Sequence, residues 1–214
     1  GDYPWYVRLI NNPIRRLACL LLADQIISVG QSGRRFYLDV LHLPPDKVCV
    51  IPAPMAVAPP HTRPANPRPI IGTAAELTER KGILQLVDAA RIVVASHPEA
   101  QFLIMGRGHL EERIRERIAA LGLHDNVHLL GFVPDASERM AQWDIFVLPS
   151  LSDLFPRAIL EAMAQGLPVV STTVDGALDM VVNGETGLLA PPGDPQELAA
   201  AIGRLLDDPQ LARR

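Results

Sequence analysis

The chain has 214 residues, enough for one large or two small domains, and 48% of them are hydrophobic, enough for a buried core. The net charge of −4 comes without basic blocks, and only 5% of the residues are aromatic, so neither a nucleic-acid partner nor a base-stacking platform is indicated. The longest apolar run contains Asp24 and is too short to span a bilayer.

The first part of the chain is predicted to alternate between helices and strands. Pro13 suits the first turn of a helix, which is predicted to end near Leu22. Two apolar segments, Gln25–Val29 and Lys47–Ile51, are predicted to be strands, with a helix between them. This order indicates a piece of a parallel sheet, and two parallel strands cannot cover both of their faces alone.

A proline-rich segment follows, with seven prolines between Pro52 and Pro69. Proline fixes φ and lacks the backbone N–H, so a regular helix is excluded there. We predict a semi-extended linker at 52–68, which separates residues 1–51 from a domain formed by 69–214.

After the linker, strands and helices are predicted to alternate six times. The predicted strands are Pro69–Ala74, Phe102–Met105, Val127–Leu130, Ile145–Leu148, Pro168–Ser171 and Gly187–Ala190. The predicted helices are Gly82–Ala95, Leu110–Leu121, Ala136–Ala141, Arg157–Gln165, Ala177–Val182 and Pro195–Leu206. This alternation is typical of an α/β domain with a doubly wound parallel sheet, Rossmann-like in architecture.

The stretch Pro149–Val170 combines a strand end, a loop with Asp153, a helix with Glu161, and the next strand. In open α/β sheets, ligands bind beyond the carboxyl ends of the strands. The free N–H groups of the first helical turn suit phosphate or sugar oxygens, and a carboxylate beside them suits sugar hydroxyls. Two other interpretations stay open at this point: Asp153 as a simple cap of the helix, and the two carboxylates as the acid and base of a hydrolase.

The same stretch resembles the signature of the GT4-type glycosyltransferases, which have the GT-B fold. That signature is a carboxylate, seven residues, then a glutamate; here it is Asp153, LFPRAIL and Glu161, followed by AMAQGLPVV. The segment Asn183–Ala199 matches the next family block nearly residue for residue, and the resemblance covers roughly 70–206. Three further blocks upstream are similar to family blocks: RKGILQLVDAA, FLIMGRGH and NVHLLGFVPD.

The resemblance implies that 69–214 is the donor-binding C-terminal half of a GT-B enzyme, and that 1–51 is the remnant of an N-terminal, Rossmann-like acceptor domain. It implies transfer from a nucleoside-diphosphate sugar, with UDP or GDP as nucleotide and with retention of configuration, to a glycan, lipid or small-molecule acceptor. No cofactor, metal or nucleic acid is implied. We expect a cytoplasmic protein, with attachment to the inner face of a membrane left open, and dimerisation through the exposed N-terminal piece.

The resemblance also assigns roles to individual residues. Glu161 corresponds to the ribose ligand, and Lys81 to the lysine that meets the diphosphate. Glu76 stands where the family commonly has an arginine, so Arg80 is the substitute expected. Asp153, the catalytic candidate, replaces the usual glutamate. The other expected donor contacts are Arg107, Val133 near the base, Phe155, Pro156 and Arg157.

Less specific interpretations remain for some of these residues. Lys81 is also compatible with an ordinary solvated lysine, and Gly106–His109 with a simple tight turn between a strand and a helix. The six histidines and two cysteines show no metal-ligand spacing. Two alternatives to a transferase stay open: a catalytically silent module that binds nucleotide sugars, and a sugar-nucleotide epimerase of similar fold.

Overall fold

The computed structural model of the protein describes residues 13–55, 66 and 68–213. The chain divides into two compact units, Gly1–Pro54 and Met55–Arg214. The first twelve residues and most of the proposed linker at 52–68 lie outside the described residues, so the linker and its boundaries stay predictions.

In the N-terminal unit, two short strands pair in parallel, with Ile26 opposite Val48. The elements are α1 (Pro13–Leu22), β1 (Ile26–Ser28), α2 (Gln31–Arg35) continuing as a π-helical stretch (Phe36–Val40), a 3-10 turn (Pro45–Lys47) and β2 (Val48–Val50). The predicted helices and strands are therefore confirmed. Leu22 and Ile27 are 84% and 59% exposed, which is consistent with an uncovered apolar face; dimerisation through it stays a prediction.

The larger unit is an α/β domain with helices on both faces of a parallel sheet. Its strands are β3 (Ile70–Ala74), β4 (Gln101–Met105), β5 (Val127–Gly131), β6 (Ile145–Leu148), β7 (Val169–Thr172) and β8 (Leu188–Ala190). Its helices are α3 (Ile83–Ser96), α4 (Glu111–Ala120), α5 (Ala136–Met140), α6 (Arg157–Ala164), α7 (Asp175–Leu178) and α8 (Pro195–Asp207), with 3-10 turns at Glu79–Lys81 and Leu211–Arg213.

The six strands lie in the order β5-β4-β3-β6-β7-β8, and every neighbouring pair is parallel. The predicted doubly wound parallel sheet is thus confirmed. The chain order reverses between β3 and β6, and the crevice beyond the carboxyl ends of such a pair is where ligands bind in folds of this type.

Side chains on β6 show how the sheet is buried on both faces. Ile145 and Val147 belong to one core, with α3, α4 and α8, whereas Phe146 and Leu148 belong to the opposite core, with α5, α6 and α7. This alternation follows from the two-residue period of a strand. A short, wholly apolar run is therefore the expected sequence of a central strand.

The prediction of a helix at Ala177–Val182 is wrong at both ends, because α7 spans Asp175–Leu178. The residues after Leu178 form a turn, in which the N–H groups of Met180 and Val181 both donate to the Ala177 carbonyl, at 3.0 and 2.8 Å. No helix among the residues that the structure describes is long and apolar enough to cross a membrane.

Candidate functional site

The loops after β3 and β6 meet at the point where the strand order reverses. The Arg80 carbonyl accepts hydrogen bonds from the N–H groups of Leu151 at 2.8 Å and Ser152 at 3.4 Å. These bonds join two segments that are about 70 residues apart in sequence. The two loops therefore form one platform at the carboxyl edge of the sheet.

Gly82 makes this junction sterically possible. Its φ is +65°, in the left-handed region, and a Cβ at this position would lie 1.9 Å from the Pro149 carbonyl oxygen. Any other residue would force the loops apart. The glycine that follows Lys81 is therefore required by the close contact between the two loops.

Lys81 and Asp153 form a close ion pair on this platform. The Lys81 Nζ lies 2.5 Å from the Asp153 Oδ2, and their side chains are only 15% and 6% exposed. The other carboxylate oxygen, Oδ1, accepts a hydrogen bond from the Phe155 N–H at 3.3 Å and lies 4.0 Å from Nη1 of the half-exposed Arg80. Two cationic groups and one carboxylate thus share a small volume.

Asp153 does not cap the helix that follows it. Helix α6 begins at Arg157, with the buried Pro156 in the N-cap position and no side-chain cap. The Asp153 side chain instead closes a turn onto Phe155, and its carbonyl accepts a hydrogen bond from the Gly176 N–H at 2.9 Å. The capping interpretation of this residue is therefore not supported.

Glu161 lies in the second turn of α6, and its side chain is 29% exposed. The Arg157 Nη2 lies 3.8 Å from the Glu161 Oε1, one helical turn away, and the arginine side chain is 71% exposed. Ile159 and Ala162 on the same helix are buried in the core, so the rotation of the helix is fixed. Glu161 is thus a partly open carboxylate that a ligand can approach.

The loops after β4 and β5 lie along the same edge. Gly106 has a φ of +141°, and a Cβ there would lie 1.8 Å from the Ala75 carbonyl oxygen. Its N–H donates to the Gly131 carbonyl at 2.8 Å. The guanidinium of the exposed Arg107 lies 5.9 Å from the ring centroid of Phe132, which is 64% exposed. The segment Gly106–His109 is therefore compatible both with a tight turn between a strand and a helix and with a role in ligand binding.

Val133, the predicted neighbour of the nucleotide base, is half-buried and packs against the core on the α6 face of the sheet. The sequence analysis assigns the Val133 backbone to the nucleotide base, and that assignment stays a prediction.

His109, in the loop after β4, contacts Glu79, in the loop after β3. The Nε2 atom of His109 lies 2.9 Å from the Oε2 atom of Glu79. Backbone hydrogen bonding and the His109 ring lower the pKa of Glu79 below its ordinary value.

The structure brings some predicted site residues together and leaves others as separate pairs. Arg80, Lys81, Asp153 and Phe155 form one cluster, while Arg157 pairs with Glu161. Within the described part of the chain, no three His, Cys, Asp or Glu side chains are grouped so as to hold a metal ion.

Two residues were not singled out from the sequence. Phe132 is an exposed ring beside Arg107, and an aromatic residue directly after a strand was a usable signal. Ser150 is fully buried, and its Oγ has no hydrogen-bond partner among the described residues. Its carbonyl accepts a hydrogen bond from the Thr172 hydroxyl at 2.5 Å, which ties the loop to β7. No pattern in the sequence distinguishes this serine from its neighbours.

The chain is similar to a known protein family and to individual known proteins. Residues 58–214 match the family described as "Glycosyl transferases group 1". The amylovoran biosynthesis glycosyltransferase AmsK of Erwinia amylovora is 39% identical over 141 residues, which are 62% of this chain and 35% of that protein. An exopolysaccharide phosphotransferase of Streptomyces coelicolor is 38% identical over 139 residues, 64% of this chain and 15% of that one.

Among solved structures, Anabaena HepE in complex with UDP and glucose superimposes with a TM-score of 0.78. It is 25% identical, and the match covers 97% of this chain and 59% of HepE. The chain thus spans about a third of the length of AmsK and somewhat more than half of HepE.

Proposed function

The chain belongs to the group 1 glycosyltransferases, and we propose that its larger unit binds a nucleoside-diphosphate sugar as the donor for sugar transfer. The observation that carries this proposal is the position of the Arg80, Lys81 and Asp153 cluster. It lies at the carboxyl ends of β3 and β6, where the strand order reverses and ligands bind in folds of this type.

The diphosphate of the donor is proposed to bind to the cationic groups of the β3 loop. A lysine ammonium is a compact charge with three donors, which suits phosphate oxygens, and Arg80 adds a second positive charge 4.0 Å from the carboxylate. Helix α6 begins nearby in sequence, at Arg157, and its dipole favours anions at that end. When the sugar leaves, these groups stabilise the charge on the diphosphate, so a metal is not required.

The nucleoside end is proposed to lie along the loops after β4 and β5. Glu161 is assigned to the ribose hydroxyls, as a carboxylate that accepts two hydrogen bonds. Arg107, the Val133 backbone and the exposed Phe132 ring are assigned to the base. The UDP complex of HepE, 25% identical to this chain, supports a uridine nucleotide, with GDP as the alternative.

The sugar of the donor is proposed to lie against the loop that contains Asp153, Phe155, Pro156 and Arg157, with Asp153 as the catalytic candidate. Transfer is proposed to proceed with retention, and the acceptor is proposed to be a glycan, a lipid or a small molecule. Because the chain spans 35% of AmsK, we expect further residues to orient the acceptor. Without them the reactants are not held at reacting distance, so we expect the 214-residue chain to bind the donor but not to transfer sugar.

Calorimetric titration with UDP and with GDP tests the proposal. Glu161→Ala is expected to weaken binding of the preferred nucleotide by roughly 10–100-fold, because a hydrogen bond to a charged group contributes about 1.5–3 kcal/mol. Glu185→Ala removes an exposed carboxylate from the loop before β8 and serves as a control that should leave binding unchanged. Equal loss in both variants, or no binding of either nucleotide by the wild type, would contradict the proposal.

Two other activities are distinguished by a second assay. Nucleotide sugar is incubated with the full-length protein, with and without an acceptor panel. A transferase gives a glycosylated acceptor, whereas an epimerase interconverts donor sugars without any acceptor. A silent binding module gives neither product while still binding the nucleotide.

A further inference from the structure

The lysine assigned to the diphosphate is already paired with a carboxylate in this structure. Its Nζ lies 2.5 Å from the Asp153 Oδ2, and only 15% of the lysine side chain is exposed. An incoming phosphate must therefore share this ammonium with Asp153 or replace the carboxylate. Asp153 affects the binding of anions whether or not it touches the sugar.

The pair is fixed by the backbone on both sides. Leu151 N–H donates to the Arg80 carbonyl at 2.8 Å, Gly176 N–H donates to the Asp153 carbonyl at 2.9 Å, and Phe155 N–H donates to Oδ1 at 3.3 Å. The first two bonds fix the backbone of the two loops, and the third holds the carboxylate itself, so turning the carboxylate away would break its bond to the Phe155 N–H and its ion pair with Lys81. We therefore expect it to stay near Lys81 when a nucleotide is bound.

The net charge of the cluster determines how Asp153 affects the binding of a phosphate ligand. Arg80, Lys81 and Asp153 sum to one positive charge, and without the carboxylate they would sum to two. We propose that Asp153 is an internal counter-ion of Lys81, which weakens the binding of the free nucleoside diphosphate more than that of the nucleotide sugar and so favours release of the product. This inference rests on the proposed function.

The difference between the two ligands comes from their charge. The diphosphate of a nucleotide sugar carries two negative charges. After the sugar leaves, the terminal phosphate can lose a second proton with a pKa near 6, so the product carries up to three. A nearby carboxylate repels the more highly charged product more strongly. Asp153 thus selects between donor and product as well as orienting Lys81.

Calorimetry on the 214-residue chain tests this with the nucleotide that the wild type prefers, UDP or GDP, and with its glucose conjugate. Asp153→Asn keeps the size of the side chain and removes its charge. We expect it to bind the free nucleotide at least about tenfold more tightly, since tenfold, or about 1.4 kcal/mol, is the interaction of two unit charges as far as about 12 Å apart at an effective dielectric of about 20. For a tenfold gain with the free nucleotide, the affinity for the nucleotide sugar, which carries two charges instead of three, should rise by about fivefold or less.

Two further variants test whether the effect comes from the charge of Asp153. Asp153→Glu keeps that charge, so it should give none of the gain in affinity for the free nucleotide that Asp153→Asn gives. In a Lys81→Met background, Asp153→Asn should still strengthen binding of the free nucleotide, because the carboxylate repels the phosphates directly whether or not the lysine is present. Thermal melting of each variant identifies any loss of fold.

The outcomes are distinct. Unchanged or weaker nucleotide binding by folded Asp153→Asn overturns this inference and leaves the proposed function intact. Loss of the gain in the Lys81→Met background overturns the repulsion argument, since Asp153 would then act only by occupying the Lys81 ammonium. A wild-type chain that binds neither UDP nor GDP removes the proposed function, and this inference with it.

Discussion

Replacing Gly82 by alanine should separate the two loops that form the site. The added Cβ would lie 1.9 Å from the Pro149 carbonyl oxygen, whereas close carbon–oxygen contacts in proteins are about 3.3 Å or longer. The atom that it meets belongs to the main chain and cannot rotate away. The β3 and β6 loops must therefore move apart by more than about 1 Å.

Two costs add up in this variant. Alanine with a positive φ costs about 1–2 kcal/mol, of which about 0.4–1 is recovered because the unfolded chain is less flexible. The steric clash adds about 1–3 kcal/mol, as for overpacked side chains. We expect Gly82→Ala to lower the free energy of unfolding by about 2–4 kcal/mol and to weaken nucleotide binding by at least about tenfold, since the Lys81 and Asp153 loops no longer meet.

Gly122 provides a matched control in the same unit. Its φ is +66°, nearly identical to the +65° of Gly82, but no atom lies within 4 Å of a Cβ built there. Gly122→Ala should therefore show the conformational cost alone, about 1 kcal/mol or less, with normal nucleotide binding. Urea denaturation and calorimetry of both variants give the comparison. Equal destabilisation of the two would refute the argument that close contact at Pro149 holds the loops together.

Two further predictions concern stability. Asp194 caps α8 by accepting hydrogen bonds from Gln196 N–H at 3.0 Å and Glu197 N–H at 3.1 Å, so Asp194→Ala should lower the free energy of unfolding by about 0.5–2 kcal/mol in urea, and Asp194→Asn by less. The pKa of Glu79 is lowered by backbone hydrogen bonding and by His109, so its contribution to stability is present above its unfolded pKa and is lost as the pH falls through its folded pKa. Glu79→Gln should reduce the loss of stability between about pH 5 and pH 3 in urea titrations, and an unchanged pH dependence would contradict this.

Most of the sheet could be predicted from the sequence because its strands have a simple signature. Strand β6 is buried on both faces, so its four residues are all apolar, and its predicted bounds agree with the structure. The bounds of helix α7 were predicted less well, since its four residues give little periodicity.

The individual site residues could be predicted from the sequence, but the side chains that they contact could not. Lys81 and Asp153 are 72 residues apart, and no spacing rule predicts that the ammonium and the carboxylate meet at 2.5 Å. Their contact depends on β3 and β6 being neighbours and on Gly82 allowing the loops to touch. The pairing of Arg107 with Phe132 likewise results from the adjacency of β4 and β5.

The pairing of β3 with β6 has a consequence for the folding of the chain during its synthesis. The two strands pair at Ile71 with Ile145 and at Gly72 with Phe146, across a segment that contains β4 and β5. While a ribosome is still making β6, the β3 loop has no partner loop, and the Lys81 pair cannot form. A nucleotide can therefore stabilise only a chain in which the two halves of the sheet have joined. Bound nucleotide should protect the finished protein from proteolysis without accelerating the early steps of its folding.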